Sequence, residues 1–200
     1  MSIYMTRMQI GIKQIVKPIA LVGMPCVGKS FIGKHLALHY KIPFYDSDNL
    51  ILQKYKQSSA ELFKTSGEQA FRKAEARVIA ETFQTRQVCI LATGGGSLES
   101  KEVQTILKNA IVVYLKADLS VILKRHRKRA QLRGSFPEYF GCGSCENFLE
   151  EYCETCAYSI LERLEQKRSP LYETACSLTI LSSQPIDNVI NAITQALETV

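Results

Sequence analysis

Gly23-Met24-Pro25-Cys26-Val27-Gly28-Lys29-Ser30 reads G-x-x-x-x-G-K-S, a complete P-loop pattern. Glycines at both ends let the backbone curl until its N–H groups point inward at phosphate oxygens. Lys29 then reaches the β/γ-phosphates as a point charge, and the Ser30 hydroxyl is a ligand for Mg²⁺. The flanks agree. Pro18-Ile19-Ala20-Leu21-Val22 is a short apolar run of the kind that forms a buried parallel strand. Over residues 31–40 apolar side chains fall at helical spacing (Ile32, Leu36, Leu38 and Tyr40). Strand, glycine loop and helix in that order also aim a helix N-terminus at the phosphates. A chance match on a glycine turn would lack those flanks.

Outward from this unit, helical and apolar segments alternate. Ile42-Pro43-Phe44-Tyr45 is a second strand, ending in Asp46-Ser47-Asp48. Residues 49–57 and 59–64 have helical spacing, Gly67 interrupts, and 68–83 is a longer helix with Phe71, Ala74, Val78, Ile79 and Phe83 facing inward. Val88-Cys89-Ile90-Leu91-Ala92 is a buried strand closed by Thr93-Gly94-Gly95-Gly96. Then come a helix over 101–108, a strand over 110–115, an increasingly basic helix over 119–129, and a loop over 130–147. A helix over 146–166 is stopped by Arg168-Ser169-Pro170. A strand over 176–181 and a helix over 186–197 complete the chain. Five strands separated by helices predict an α/β three-layer sandwich, a five-stranded parallel sheet covered on both faces. Ligands should gather at the carboxyl ends of its strands, where the P-loop, Asp46, Asp48 and the three glycines fall.

Two hundred residues suit one domain, expected over 18–200 with a lid at about 125–150. Hydrophobic residues make up 46% and charged residues 22%, an ordinary globular balance. The net charge of +6 suits an anionic ligand such as a nucleotide, and would equally suit nucleic acid. No run approaches membrane-spanning length. Residues 1–17 carry Arg7, Lys13 and Lys17 with no acid and no long apolar stretch, so they read as a short N-terminal extension and not a secretory signal. Seven cysteines, an odd number, fit a reduced cytoplasmic compartment.

Four further stretches belong with the P-loop: Phe44-Tyr45-Asp46-Ser47-Asp48, Ser66-Gly67-Glu68-Gln69-Ala70-Phe71-Arg72, Leu91-Ala92-Thr93-Gly94-Gly95-Gly96-Ser97 and Arg168-Ser169-Pro170-Leu171-Tyr172-Glu173. With them the chain resembles the shikimate kinases, small P-loop kinases of the nucleoside-monophosphate-kinase type, from about Ile19 to the C-terminus with a break near 134–150. The resemblance implies a monomeric Mg-ATP-dependent enzyme that phosphorylates the 3-hydroxyl of shikimate in aromatic amino-acid biosynthesis, with no nucleic-acid or membrane partner. It implies that Gly23 to Ser30, Phe31 and Arg125 bind ATP, with Arg125 against the adenine. Asp46 joins Ser30 on the Mg²⁺ side, and Asp48 meets the acceptor hydroxyl as base or positioner. Two residues apart on an extended chain, these carboxylates share a face; a turn or helix N-cap role for Asp48 is the bland alternative. Arg72 and Arg168 hold the shikimate carboxylate, for which the bidentate guanidinium fork is suited. Glu75, one helical turn from Arg72, orients it. Gly94, Gly95 and Gly96 contact shikimate, chiefly at Gly95, and Phe63 and Phe71 wall its ring, unless both are simply core.

The lid departs from the family pattern. Where an essential arginine is followed by Pro-Leu-Leu, this chain has Arg133-Gly134-Ser135-Phe136-Pro137. Arg133 is the expected lid arginine, catalytic alongside Lys29 and Asp48, with Arg129 in reserve. Cys142-x-x-Cys145 and Cys153-x-x-Cys156 form two knuckles with the ligand count of a structural Zn²⁺ site. Cys153 and Cys156 as apolar positions on one helix face, or a redox pair, are the alternatives. Three rivals stay open, the first because of the altered lid. One is a sister small-molecule kinase of gluconate-kinase type, and another is a paralogue that binds ligand without turnover. The last is a nucleic-acid-binding protein using the basic run 124–133 and the cysteine pairs, although that run lacks interleaved aromatics for base stacking.

Overall fold

The computed structural model describes residues 15–85, 87–133 and 154–199. Five strands, β1 (Ile19–Val22), β2 (Phe44–Asp46), β3 (Ile90–Ala92), β4 (Ile111–Lys116) and β5 (Leu178–Leu181), form one sheet in the order β2-β3-β1-β4-β5. Every pairing is parallel, as the uninterrupted apolar runs predict. Residues 19–22 and 90–92 are wholly buried.

The chain steps from β1 past β3 to β2, then turns back and moves the other way through β3, β4 and β5. Right-handed crossovers therefore put α1 (Lys29–Tyr40), which follows β1, on one face. The last helix, α7 (Ile186–Thr199), packs against α1 and β5. The crossovers running the other way carry α2 (Ser47–Tyr55), α3 (Ser59–Gln84), α4 (Lys101–Leu107), α5 (Leu119–Arg133) and α6 (Glu154–Ala175). One core joins the layers, with Ile19, Leu21, Leu36, Ile79, Leu91, Val113, Leu161 and Ile193 among its buried members.

The Gly67 interruption is real: at φ 79, ψ 169 it kinks α3, which otherwise runs on through both predicted segments. Its start is set by a reciprocal capping box between Ser58 and Glu61.

Three sequence expectations change. The helix expected to stop before Pro170 continues to Ala175. Proline denies the turn one N–H and crowds it, but the residues around it are anchored by tertiary contacts. Arg168 and Lys167 pair with Glu99. Tyr172 is 1% exposed, stacks 5.0 Å from Tyr114, and its hydroxyl donates to the Gly95 carbonyl. Helix α5 also reaches Arg133, into the stretch expected to be loop. Finally, Asp46 and Asp48 do not lie on one extended strand. The chain becomes helical at Ser47, so Asp46 is the N-cap of α2, accepting from the Asp48 N–H at 3.0 Å, while Asp48 sits in the first turn. The capping role foreseen as an alternative for Asp48 thus belongs to its neighbour.

Candidate active site

The loop after β1 curls as its pattern requires. Gly23 (φ 139) cannot be replaced, because a Cβ there would lie 2.4 Å from the Leu115 carbonyl oxygen. Lys29, 8% exposed, donates from Nζ to the carbonyls of Gly23 (2.8 Å) and Met24 (2.9 Å). Burial lowers its pKa to about 8, against the pull of Asp48, Cys26 and Asp46. Ser30 Oγ donates to Asp46 Oδ2, so the hydroxyl and the carboxylate expected on the metal side do meet. Such hard oxygen donors suit Mg²⁺, which takes few protein ligands and fills its shell with water and phosphate. Among the described residues no cluster of three or more His, Cys, Asp or Glu side chains could hold a metal.

Asp48 Oδ1 accepts from Ser59 Oγ at 2.7 Å, a tie from the first turn of α3 that the sequence did not advertise. Further along α3, Arg72 Nη1 donates to Glu75 Oε2 at 3.0 Å, and Ser97 Oγ binds the other oxygen of that fully buried carboxylate. Burial raises the Glu75 pKa, while Ser97 and Arg72 oppose the rise. Arg168 reaches the same place from α6. A Cβ on Gly96 would stand 2.4 Å from Arg72 Nη2 and 2.9 Å from Arg168 Nη2, so the two guanidiniums converge over the triple-glycine turn. Gly94 abuts Glu75, and Gly95 abuts Pro25, which joins this turn to the P-loop. Phe71 is buried beneath the Arg72 guanidinium (5.2 Å to the ring centroid) and meets Phe63 edge-on at 5.9 Å; Phe63 is half-exposed.

On the other side of the P-loop a cavity of about 310 Å³ is lined by Val27, Gly28, Phe31, Ile32, Arg125 and, from the far end of the chain, Ser182, Gln184, Ile186 and Val189. Arg125 donates to the carbonyls of Val27 (2.8 Å) and Ser182 (2.7 Å), and Ser182 Oγ also binds Val27 O at 2.8 Å. The guanidinium is thereby fixed as a flat wall. None of Ser182, Gln184, Ile186 and Val189 was singled out as a site residue from the sequence, since neither the short turn over 182–185 nor the start of α7 carries a motif. Glu99, in the turn after the three glycines, likewise carries no motif of its own. Cys26 adopts φ 62, with its Sγ 4.0 Å from Arg129 Nη1. Arg133 is the last residue of α5; residues 134–153, and with them Cys142, Cys145 and Cys153, lie outside the described residues. No helix among the described residues is long and apolar enough to cross a membrane.

Comparison with known proteins gives a consistent result. The shikimate kinase family model matches residues 25–198. A shikimate kinase of Bradyrhizobium diazoefficiens is 36% identical over 186 residues, 90% of this chain and 79% of that protein. One from Vibrio cholerae is 35% identical over 185 residues, 90% of this chain and 94% of the relative. Among solved structures, shikimate kinase from Acinetobacter baumannii in complex with shikimate superposes with a TM-score of 0.75 at 29% identity, covering 92% of this chain and 94% of that one. A gluconokinase from Sinorhizobium meliloti, at 17% identity and a TM-score of 0.61 over 94% of each chain, shares the fold alone.

Proposed function

The chain belongs to the shikimate kinase family, and on that premise we propose that it transfers the γ-phosphoryl group of ATP to the 3-hydroxyl of shikimate. The observation that carries this reading is the convergence of Arg72 and Arg168 over Gly96, at the carboxyl edge of the sheet that also bears the P-loop. Two forked cations aimed at one point suit a small carboxylate, which is what shikimate has and a bare hydroxyl acceptor lacks.

Phosphoryl transfer asks the protein for positioning and charge neutralisation. Lys29 has three N–H donors and uses two on the loop carbonyls, leaving the third for a phosphate oxygen. Ser30 and Asp46 would hold Mg²⁺, which would supply positive charge to offset that of the phosphates. Asp48, steadied by Ser59, receives the proton of the attacking hydroxyl. Gly94 to Gly96, Phe63 and Phe71 border the acceptor, while Phe31, Arg125 and the cavity of about 310 Å³ take the adenine. Arg133 is our choice for the lid arginine. The enzyme acts as a monomer in the cytoplasm, and light scattering in solution tests that state.

The lid cysteines Cys142, Cys145, Cys153 and Cys156 carry the spacing for one structural Zn²⁺ per chain. Metal analysis of protein purified under reducing conditions without chelator tests this, and absence of zinc would leave the helix-face reading.

A coupled ADP-release assay against shikimate, gluconate and nucleoside monophosphates tests the function. Turnover with shikimate alone is expected. Preference for gluconate would move the chain to the sister activity, and salt-dependent nucleic-acid binding without turnover would support the nucleic-acid-binding rival.

A further inference from the structure

Glu99 closes the 3-10 turn (Ser97–Glu99) that follows the three glycines, and its side chain is 11% exposed. Its carboxylate touches three cations. Oε1 accepts from Arg168 Nε at 2.7 Å and lies 3.8 Å from Arg72 Nη2, while Oε2 pairs with Lys167 Nζ. Burial alone would push its pKa up, but Lys167 and Arg168 outweigh burial and hold the carboxyl below the usual range. Glu99 is thus a partly buried carboxylate, ionised at neutral pH.

Building on the acceptor reading above, we propose that Glu99 is the positioning residue that shapes the acceptor-carboxylate clamp. Two guanidiniums converging on Gly96 repel each other, and each needs an anionic partner behind it. Glu75 serves Arg72 from within α3, through Nη1. Nothing on α6 serves Arg168 in the same way; its anchor comes from the 3-10 turn. By taking Nε, Glu99 fixes the rotation of the Arg168 fork and leaves its Nη groups to face a ligand. Lys167, 62% exposed, engages the second oxygen and leaves Oε1 to Arg168.

The test is Glu99→Gln, which keeps size and one acceptor but removes the charge. The KM for shikimate should rise roughly tenfold or more, as expected when a binding group loses its alignment, while the KM for ATP stays within about twofold. In an Arg168→Ala background the same change should add little further, because the group Glu99 acts through is gone. Lys167→Ala, which leaves Glu99 in place, should give a smaller rise of the same kind and serves if Glu99→Gln folds poorly. An equal rise in both KM values would make Glu99 merely structural. A fall in the KM for shikimate would make it a competitor for the clamp. Full additivity with Arg168→Ala would separate it from that residue. Each of these overturns the proposal while wild-type turnover of shikimate still stands; wild type inactive on shikimate would overturn both readings.

Discussion

The two carboxylates that follow β2 differ in role because they differ in hydrogen-bond partners. Asp46 caps α2 and touches Ser30, whereas Asp48 is held by Ser59 and free of the capping duty. Asp48→Asn should therefore lower kcat by roughly 10²-fold or more with the melting temperature nearly unchanged. Asparagine can still accept from Ser59, so loss of stability with preserved kcat would return Asp48 to a structural role. Gly96 gives a second test at this scale. Alanine there would push a methyl into Arg72 Nη2 (2.4 Å) and Arg168 Nη2 (2.9 Å), the far ends of flexible side chains. The fold should survive and the clamp should not: we expect the KM for shikimate to rise about tenfold or more with ATP affinity intact, read by steady-state kinetics and nucleotide titration.

Among the elements, α3 carries Phe63, Phe71 and Arg72 of the proposed acceptor site and has one weak point. Gly67 sits at φ 79, ψ 169, a conformation essentially reserved for glycine, with nothing within 4 Å of where a Cβ would stand. Gly67→Ala meets no neighbour, so any loss comes from the backbone alone. Urea unfolding should show a loss of about 1–3 kcal/mol, and no change would mean that the kink relaxes freely. This break was legible in the sequence, as was the order of strands and helices, because glycine and apolar periodicity act locally. Helix α6 was not legible in the same way. Pro170 is a local stop signal, yet Glu99, Gly95 and Tyr114, each more than fifty residues earlier, grip the residues around it and keep the helix going.

At the scale of the whole molecule, burial of Lys29 gives pH dependences of opposite sign. The unfolded chain holds this proton to its ordinary value of 10.5, while the folded protein releases it near 8. Between those values the unfolded state binds more protons, so the ligand-free protein gains stability from this group as pH rises. ATP needs the ammonium, so its affinity should fall as pH passes about 8. Melting temperature and ATP dissociation constant, followed from about pH 7.5 to 10, should show both trends in the wild type and lose the Lys29 part of each in Lys29→Met. A wild type and variant with the same pH profiles would overturn the assignment.

What the sequence by itself determined was what short spacings carry: the P-loop, the five strand-forming runs, the helices between them and the break at Gly67. These signals depend on backbone freedom and on neighbours a few positions away, so they are present before the chain folds. Only the tertiary structure decided the strand order β2-β3-β1-β4-β5, the wall that Ser182 and Gln184 add beside Arg125, and the choice of Glu99 as the anion behind Arg168. Each depends on which distant groups packing brings together out of water. There a carboxylate between three cations stays ionised and organises them, a role its place in the sequence does not reveal.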